Sequence, residues 1–204
     1  MSLEQDIKRL QGIPAIKEAL SLLSSQLPAN LLYHAYGHTE DVISEVISLA
    51  LSDKLEPRQI ELLAIAAAWH DVGFIWSHTN NEPLAAEAAK RYLVSIGGYT
   101  NSEIELIAQM IRDTALVVDG SSFKQIPSHP LSRYLLDADL ANFGRADFFE
   151  KSELQRQELN DNPEPFRRKT LALVKNHRWL TPAALTRWQG TKEANVRELE
   201  KLIV

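Results

Sequence analysis

The sequence of 204 residues contains no cysteine and only eight glycines. The absence of cysteine excludes disulfide bonds and thiolate metal sites, and it is consistent with a cytoplasmic location. The alternating β-branched stretches that indicate strands are also missing, which argues against a protein built from sheets. No run of about 18 apolar residues is present, so we expect no membrane-spanning helix. The first ten residues, MSLEQDIKRL, have acidic side chains and no apolar core, so we expect no secretory signal.

The formal net charge is −5, with 27 acidic and 22 basic side chains. An acidic balance of this kind argues against a nucleic-acid polymer as the partner. It leaves room for a small phosphorylated substrate, because a bound divalent cation can reverse the sign of the charge locally. The remaining composition, with 45% hydrophobic and 24% charged residues, is that of an ordinary globular protein.

The apolar residues recur at intervals of three and four, the spacing typical of amphipathic helices. We therefore predict an all-α fold, a single-domain helical bundle that covers 1–204. Its core is expected at about 30–145, followed by a C-terminal helical extension at about 146–204. The polar segment 117–130 is predicted to be a loop that serves as a lid or rim. The predicted helices cover 3–25, 38–52, 57–71, 83–96, 102–116, 130–143, 145–160, 164–177 and 182–203.

An adjacent histidine and aspartate, His70 and Asp71, close the predicted helix 57–71. His70 lies on the same helix face as Leu63 and Ala67, which is expected to point to the core. Burying an unpaired carboxylate costs several kcal/mol, so something should compensate the charge of Asp71. A core histidine that is hydrogen-bonded to its neighbours is the alternative interpretation of this pair.

The segment YHAYGHTEDV at 33–42 contains two further histidines. His38 lies on the apolar stripe that Val42 and Val46 continue, so it too is predicted to face inward. His34 lies one turn earlier, on roughly the same side if the helix extends that far. The alternative is a helix N-terminus whose acidic residues complement the helix dipole, with both histidines incidental.

The segment LSRYLLDADLANFG at 131–144 adds an inward-facing carboxylate. Asp139 follows Leu135 by four residues and therefore points where the leucines point. Asp137 instead lies one turn after Arg133, a spacing that suits an exposed ion pair. Because this helix is apolar on more than one side, the choice of Asp139 over Asp137 stays open on spacing alone.

Three predicted helices thus direct imidazoles and carboxylates inward. Such a mixed nitrogen and oxygen set suits a divalent metal ion, namely Mn, Mg, Fe, Ni or Zn. The cation would offset the desolvation of the four groups, lower the pKa of a water molecule and polarise a phosphoryl oxygen. The sequence therefore predicts a metal-binding site formed by His38, His70, Asp71 and Asp139.

These residues resemble the signature of the HD superfamily of metal-dependent phosphohydrolases, in which a His, a later His-Asp pair and a distant Asp lie on helices. The segments that carry the signature are YGHTEDV, AAAWHDVGF and LLDADLANFG, at 36–42, 66–74 and 135–144. The likeness extends to a branch of predicted phosphohydrolases that has NE after the HD pair, an R-x-E helix and an Asn-containing C-terminal helix. Those pieces are NNEPLAAEAA, ELQRQEL and ANVRELEKL, at 80–89, 153–159 and 194–202. The resemblance covers nearly the whole chain.

The resemblance implies an HD domain that hydrolyses a phosphoester or phosphoanhydride of a small molecule with a metal-activated water, as a phosphatase or phosphodiesterase. A nucleotide is a plausible substrate. The segment at 33–42 is also similar to a motif of cyclic-nucleotide phosphodiesterases whose first histidine protonates the leaving oxygen, which makes His34 a candidate general acid. Asp71 is a candidate both for ligating the ion and for orienting the attacking water. The sequence ADL around Asp139 recurs in that family at its metal-binding aspartate, which favours Asp139 over Asp137.

Three residues are candidates for contacting the substrate. Glu82 belongs to the NE pair and would contact a metal-bound water, or it is simply the acidic residue of a helix N-terminus. Arg112 and Arg145 could bind phosphate, with a solvated charged surface as the alternative. Related proteins often have a histidine shortly after the helix predicted at 102–116. This chain has none there, so we expect one ion rather than two.

Two other functions stay open. A non-catalytic nucleotide-binding or interaction module would bind a ligand without turnover. An iron-dependent oxygenase of the HD type would need further histidine ligands between the HD pair and the last Asp, where the chain offers only His78 and His129. Substrate, ion and oligomeric state are not determined by the sequence.

Overall fold

The structure, a computed structural model, describes residues 3–119 and 122–203 and contains ten α-helices within those ranges. Two 3-10 helices, Val72–Ile75 and Ala141–Gly144, directly follow the fourth and seventh α-helices. The prediction of an all-α, single-domain helical bundle is confirmed. The α-helices are α1 (Leu3–Gln11), α2 (Pro14–Gln26), α3 (Tyr36–Ser52), α4 (Pro57–Trp69), α5 (Asn81–Ile96), α6 (Asn101–Asp113), α7 (Ser132–Asp139), α8 (Phe148–Glu158), α9 (Pro163–Asn176) and α10 (Pro182–Lys201).

The core is organised around α4. Every residue from Leu62 to Trp69 is buried, because this helix is apolar on all sides and packs against α2, α3, α6 and α7. Its run of alanines lets the neighbouring helices approach closely. The C-terminal end of α4 therefore lies inside the bundle, at the point where the His-Asp pair begins. Within the described ranges no helix has both the length and the apolarity needed to cross a bilayer.

The prediction of one helix over 3–25 is wrong, because two helices, α1 and α2, occupy that range. The chain is extended at Ile13, with φ −65° and ψ 132°, and α2 begins at Pro14. The proline ring disfavours helical backbone in the preceding residue and lacks the N–H that a continuous helix would need. The apolar spacing of three and four continues across this break, which is why periodicity alone did not predict it.

The segment predicted to be a loop contains one short hairpin. Within the segment predicted as a loop at 117–130, β1 (Val117–Asp119) pairs antiparallel with β2 (Ser122–Lys124), and Val117 lies opposite Lys124. Three-residue strands are too short to show a period-two pattern in the sequence. Residues 120–121 of the segment lie outside the described residues. Beyond the hairpin the chain is held to α6, because the backbone N–H and hydroxyl of Ser128 donate to Asp113 Oδ2 at 2.8 and 2.7 Å.

Two predicted helices, 57–71 and 130–143, each end early and continue as a 3-10 helix. The first 3-10 helix packs very closely against the start of α5, which requires a glycine. A Cβ atom added at Gly73 would lie 1.9 Å from the carbonyl oxygen of Asn81. The predicted metal ligands lie at these two transitions: His70 and Asp71 at the first, and Asp139 at the second.

Candidate metal centre

Three of the predicted ligands converge inside the bundle. His38 lies in the first turns of α3, while His70 and Asp71 follow the last residue of α4. All three side chains are buried, and one potential ligand atom of each lies within 4.8 Å of the others. Asp71 Oδ2 is 3.2 Å from His70 Nε2 and 3.5 Å from His38 Nε2. The C-terminal end of α4 and the start of α3 therefore meet at this cluster.

The atoms that face this point lack hydrogen-bond partners. His38 Nε2, His70 Nε2 and Asp71 Oδ2 are all buried and unpaired among the described residues. Buried polar atoms in folded proteins are nearly always paired, since leaving them unpaired is unfavourable. Three such atoms at one place, two imidazole nitrogens and one carboxylate oxygen, are a donor set that fits a divalent cation.

The imidazole of His70 is oriented by the helix that precedes it. Its Nδ1 lies 2.7 Å from the carbonyl oxygen of Ala67. A carbonyl can only accept, so Nδ1 bears the hydrogen and the neutral ring keeps its lone pair on Nε2, the atom that faces the cluster. This is the arrangement typical of a metal-binding histidine.

Asp139, the last residue of α7, joins the same cluster. Its Oδ1 is 3.3 Å from His38 Nε2 and 3.6 Å from His70 Nε2. Its Oδ2 accepts a hydrogen bond of 2.7 Å from Gln125 Nε2. Gln125 therefore holds one carboxylate oxygen and leaves the other directed to the imidazoles. No feature of the sequence pointed to Gln125, which lies just after the hairpin.

The expectation that Asp137 forms an exposed ion pair with Arg133 is wrong. Asp137 is fully buried and accepts hydrogen bonds from the backbone of Leu180 and from the backbone and hydroxyl of Thr181, at 2.7 to 3.1 Å. It thereby holds the residues that lead into α10. The helix α7 packs against other elements on both sides. Asp137 is therefore buried, although its spacing from Arg133 would suit an ion pair on the surface.

The electrostatics of the cluster favour a cation. Burial by itself lowers the pKa of His70, but the carboxylates of Asp71 and Asp139 more than reverse this and place that pKa well above its usual value. Burial raises the pKa of Asp71 and of Asp139, yet the neighbouring imidazoles hold both below the usual range. In the absence of a metal, a proton on His70 offsets part of this negative charge, and a divalent ion would take over that role.

His34 lies beside the cluster and forms a pair with Glu158 of α8. His34 Nδ1 is 2.5 Å from Glu158 Oε1, and Glu158 Oε2 accepts from the backbone N–H groups of Tyr33 and His34 at 2.8 and 3.0 Å. The His34 ring stacks on Phe74, with 4.5 Å between centroids, and meets the edge of His38 at 5.9 Å. Glu158 belongs to the R-x-E segment, to which the sequence assigned no role.

The His34 imidazole combines a buried partner with partial access. Its side chain is 22% exposed, whereas that of Glu158 is only 2% exposed. Burial lowers the pKa of His34, but the hydrogen bond to Glu158 and the nearby carboxylates raise it above its usual value overall. The ring is therefore suited to carry a proton near neutral pH.

Arg145, a predicted phosphate-binding residue, lines a small cleft beside His38 and Asp139. Its guanidinium contacts three carboxylates, with Asp147 Oδ1 at 3.0 Å and oxygens of Asp41 and Glu45 at 3.2 and 3.5 Å. Lys151 lines the same cleft and also contacts Asp41, at 3.4 Å. The rim of the cleft is thus a network of opposite charges rather than a free cationic surface.

The other predicted contact residues lie at varying distances from the cluster. Glu82, in the first turn of α5, is half-buried, and its pKa is raised first by burial and then by Asp71 and Asp139, so it lies within electrostatic reach of the site. Arg112 is on α6, where it donates to Gln109 at 3.5 Å. In the part of the chain that the structure describes, no contact joins Arg112 to the cluster.

Comparison with known proteins adds information on the fold. No protein-family model matches the sequence, and no curated protein is significantly similar to it. Two solved structures match. One is a predicted HD superfamily hydrolase from an uncultured Thermotogales bacterium, with a TM-score of 0.61, 18% identity, and 99% of each chain covered. The other is Bacillus subtilis YpgQ in complex with ADP, with a TM-score of 0.63, 15% identity, and 92% of this chain and 97% of that chain covered.

At these identities the likeness concerns the arrangement of the helices, and it extends over nearly the full length of each chain. The buried His-His-Asp group lies on the segments that resemble the HD signature. The chain therefore has the fold of the HD superfamily hydrolases.

Proposed function

We propose that the protein is a metal-dependent phosphohydrolase that cleaves a phosphoester or phosphoanhydride bond of a small molecule, with nucleotides as the favoured substrate class. The observation that carries the proposal is the meeting of three buried, unpaired ligand atoms, His38 Nε2, His70 Nε2 and Asp71 Oδ2. A fourth ligand, Asp139, would complete the set. The ADP in the crystals of YpgQ, a protein of the same fold, supports the choice of nucleotides.

The chain's own residues prepare the site for a divalent ion, namely Mn, Mg, Fe, Ni or Zn. When bound, such an ion supplies a Lewis acid that polarises a phosphoryl oxygen and lowers the pKa of a water molecule. Ala67 and Gln125 fix the orientation of two of the ligands, His70 and Asp139. Fixed ligands need little reorganisation when the ion binds, which favours affinity.

His34 would act as the general acid. Glu158 accepts the Nδ1 hydrogen of the ring and stabilises its positive charge, so a proton on Nε2 is available for the leaving oxygen. The raised pKa of His34 keeps that proton in place near neutral pH. Asp71 is proposed to orient the attacking water in addition to ligating the ion.

Substrate contacts are proposed for the rim of the site. Glu82 would hold a water near the ion, since it lies within electrostatic reach of Asp71 and Asp139. Arg145 and Lys151 would approach the phosphate from the cleft that both residues line.

Elemental analysis of the purified protein, followed by phosphatase and phosphodiesterase assays with each divalent ion, tests the proposal. His70→Ala and Asp71→Ala are expected to lose metal and turnover together. His78→Ala, which removes an exposed loop histidine, is the matched control and should retain its metal. Equal turnover in metal-free and metal-loaded wild type would refute the proposal.

The same measurements separate the two other functions. Binding of nucleotide and metal without turnover on any phosphorylated compound would indicate a binding module. Iron content together with dioxygen consumption would indicate an oxygenase. Of the extra histidines such an oxygenase would need, His129 uses its Nδ1 to accept the backbone N–H of Leu131 at the start of α7, and His78 is exposed.

A further inference from the structure

The small cleft beside His38 and Asp139 is too narrow for a substrate group. Its volume is about 10 Å³, which is about the space that one water molecule needs. A phosphoryl group, with its oxygens around a central phosphorus, is larger than this and does not fit. Arg145 and Lys151 can therefore bind a phosphoryl group from this cleft only after a contact at the rim has opened.

Asp41 connects the two cations of the cleft. Its Oδ2 lies 3.2 Å from Arg145 Nη2 and 3.4 Å from Lys151 Nζ. All three side chains line the cleft. Carboxylate and phosphate oxygens are alternative acceptors for the same guanidinium and ammonium donors. Asp41 therefore occupies the position in which a phosphoryl oxygen would contact both cations.

Asp41 is also the most weakly held of the three carboxylates around Arg145. Asp147 contacts both Nε and Nη2 of the guanidinium. Glu45 has a second partner, Arg187, at 2.8 Å, and its side chain is only 12% exposed. The side chain of Asp41 is 43% exposed, and exposed ion pairs are weak. An incoming anion is therefore expected to displace Asp41 rather than the other two carboxylates.

The main chain of Arg145 is fixed by α10. Asn195 Nδ2 donates to the carbonyl oxygens of Phe143 and Arg145 at 3.1 and 2.9 Å. The segment also packs tightly on α10, since a Cβ atom added at Gly144 would lie 2.2 Å from the Cβ of Trp188. The cleft therefore opens by movement of side chains at its rim, and not by a shift of the Arg145 backbone.

We propose that Asp41 determines the affinity of the site for a phosphoryl group, because that group must displace its carboxylate from Arg145 and Lys151. With Asp41 in place the rim is balanced, since three carboxylates and three cations contact one another. They are Asp41, Glu45, Asp147, Arg145, Lys151 and Arg187. Once displaced, Asp41 turns to solvent and the two cations contact the phosphoryl oxygens. The inference deepens the proposed function and rests on it for the identity of the anion.

Asp41→Asn tests the proposal, with inorganic phosphate as the probe. The variant keeps the size of the side chain and removes its charge, so the anion has a weaker competitor. We expect phosphate to bind the metal-loaded variant about two- to fivefold more tightly than wild type, in line with the strength of an exposed ion pair. Isothermal titration calorimetry measures the affinities.

Glu105→Gln is the matched control for the change in charge. It removes one negative charge from an exposed ion pair between Glu105 on α6 and Lys90 on α5. Its affinity for phosphate should equal that of the wild type.

A second variant separates release of the cations from the change in net charge. Lys151→Gln removes one of the two cations that Asp41 holds, so it should weaken phosphate binding. Adding Asp41→Asn in this background should improve binding less than it does in the wild type, because the two residues act through one contact. An equal gain in both backgrounds would contradict the proposal.

Kinetics identify the source of the phosphoryl group. With a chromogenic ester such as p-nitrophenyl phosphate, a lower KM at unchanged kcat in Asp41→Asn assigns the group to the substrate. An unchanged KM with stronger inhibition by inorganic phosphate assigns it to the released product. Both results support displacement of Asp41.

The proposal is overturned if Asp41→Asn binds phosphate no more tightly than the wild type or Glu105→Gln. It is also overturned if neither the wild type nor Asp41→Asn binds phosphate. Failure of the hydrolase proposal has a different signature, which is absence of metal or of turnover in the wild type. The ratio of the phosphate affinities can still be measured in that case, on metal-free protein.

Discussion

Asp137 and Asp139 stand two residues apart on α7 and have opposite surroundings. Since two residues correspond to a rotation of about 200° on an α-helix, their side chains point in opposite directions. One carboxylate meets the imidazoles of His38 and His70, and the other accepts hydrogen bonds from Thr181. Two identical side chains therefore have different partners, and it is the partners of Asp139 that make it the proposed ligand.

Replacing each of these aspartates by alanine should separate the two functions. Asp137→Ala is expected to lower the free energy of unfolding by about 2–4 kcal/mol, because the donors of Leu180 and Thr181 lose their acceptor. Its metal content should be unchanged. Asp139→Ala should bind metal at least about tenfold more weakly, in line with the loss of one ligand. Denaturant titration and elemental analysis measure both effects, and loss of metal in Asp137→Ala alone would contradict the assignment.

The pair of His34 and Glu158 leads to a prediction on pH. A general acid must be protonated, and the Glu158 hydrogen bond raises the pKa of His34. Glu158→Gln removes that charge, so the basic limb of the kcat profile should move to lower pH. His34→Ala should lower kcat by about 10²–10⁴-fold without loss of metal. A pH–rate profile checks the first effect, and an unchanged basic limb in Glu158→Gln would exclude this role of Glu158.

The proposed metal site lies mainly at helix ends. Asp71 stands between α4 and the 3-10 helix Val72–Ile75, and Asp139 stands at the end of α7 before the 3-10 helix Ala141–Gly144. A helix end changes the direction of the chain, so adjacent residues such as His70 and Asp71 can both face the same point. The predicted continuous helices 57–71 and 130–143 would not have allowed this as readily.

Gly73 offers a test of this geometry. Gly73→Ala places a methyl group against the backbone of Asn81, so the 3-10 helix must move away from α5. We expect a loss of about 1–3 kcal/mol in stability and weaker metal binding, since Asp71 lies two residues earlier. Gly190→Ala is the control, because nothing lies within 4 Å of the added Cβ and alanine is the better helix former. Thermal unfolding and metal titration measure the stability and the metal affinity of the two variants. Equal values for both variants would contradict the close packing at Gly73.

The fold as a whole collects the site from segments far apart in the chain. The proposed ligands come from α3, the end of α4 and α7, while Glu158 comes from α8 in the C-terminal part. The cluster holds two carboxylates, and their charge is compensated by a protonated His70 or by a cation. Its contribution to the stability of the molecule must therefore depend on pH and on metal.

The metal-free protein should lose stability as the pH rises. The pKa of His70 is raised in the folded state, so its contribution is fully present below the unfolded value near 6.5 and is lost as the pH rises through the folded pKa. The lowered pKa values of Asp71 and Asp139 contribute stability above a pH of about 4, which is lost in acid. A bound ion replaces the proton of His70 at high pH.

We therefore expect metal to raise the melting temperature more at about pH 8.5 than at about pH 6. At a metal concentration about 1,000 times the Kd, the stabilisation should be about 4 kcal/mol. Scanning calorimetry with and without a chelator measures the difference. Asp71→Ala should show no such increase, and a larger metal effect in acid would contradict the linkage.

The sequence by itself determined the helical class of the fold and the inward direction of His38 and His70, because both follow from the spacing of apolar residues along a helix. The sequence also indicated where most helices begin and end, but it did not indicate that Pro14 begins a second helix. Contacts such as that of Glu158 with His34, or of Gln125 with Asp139, were decided only by the tertiary structure. These pairs are distant in the chain or belong to irregular segments, and periodicity within a helix carries no information about which helix or loop will lie opposite.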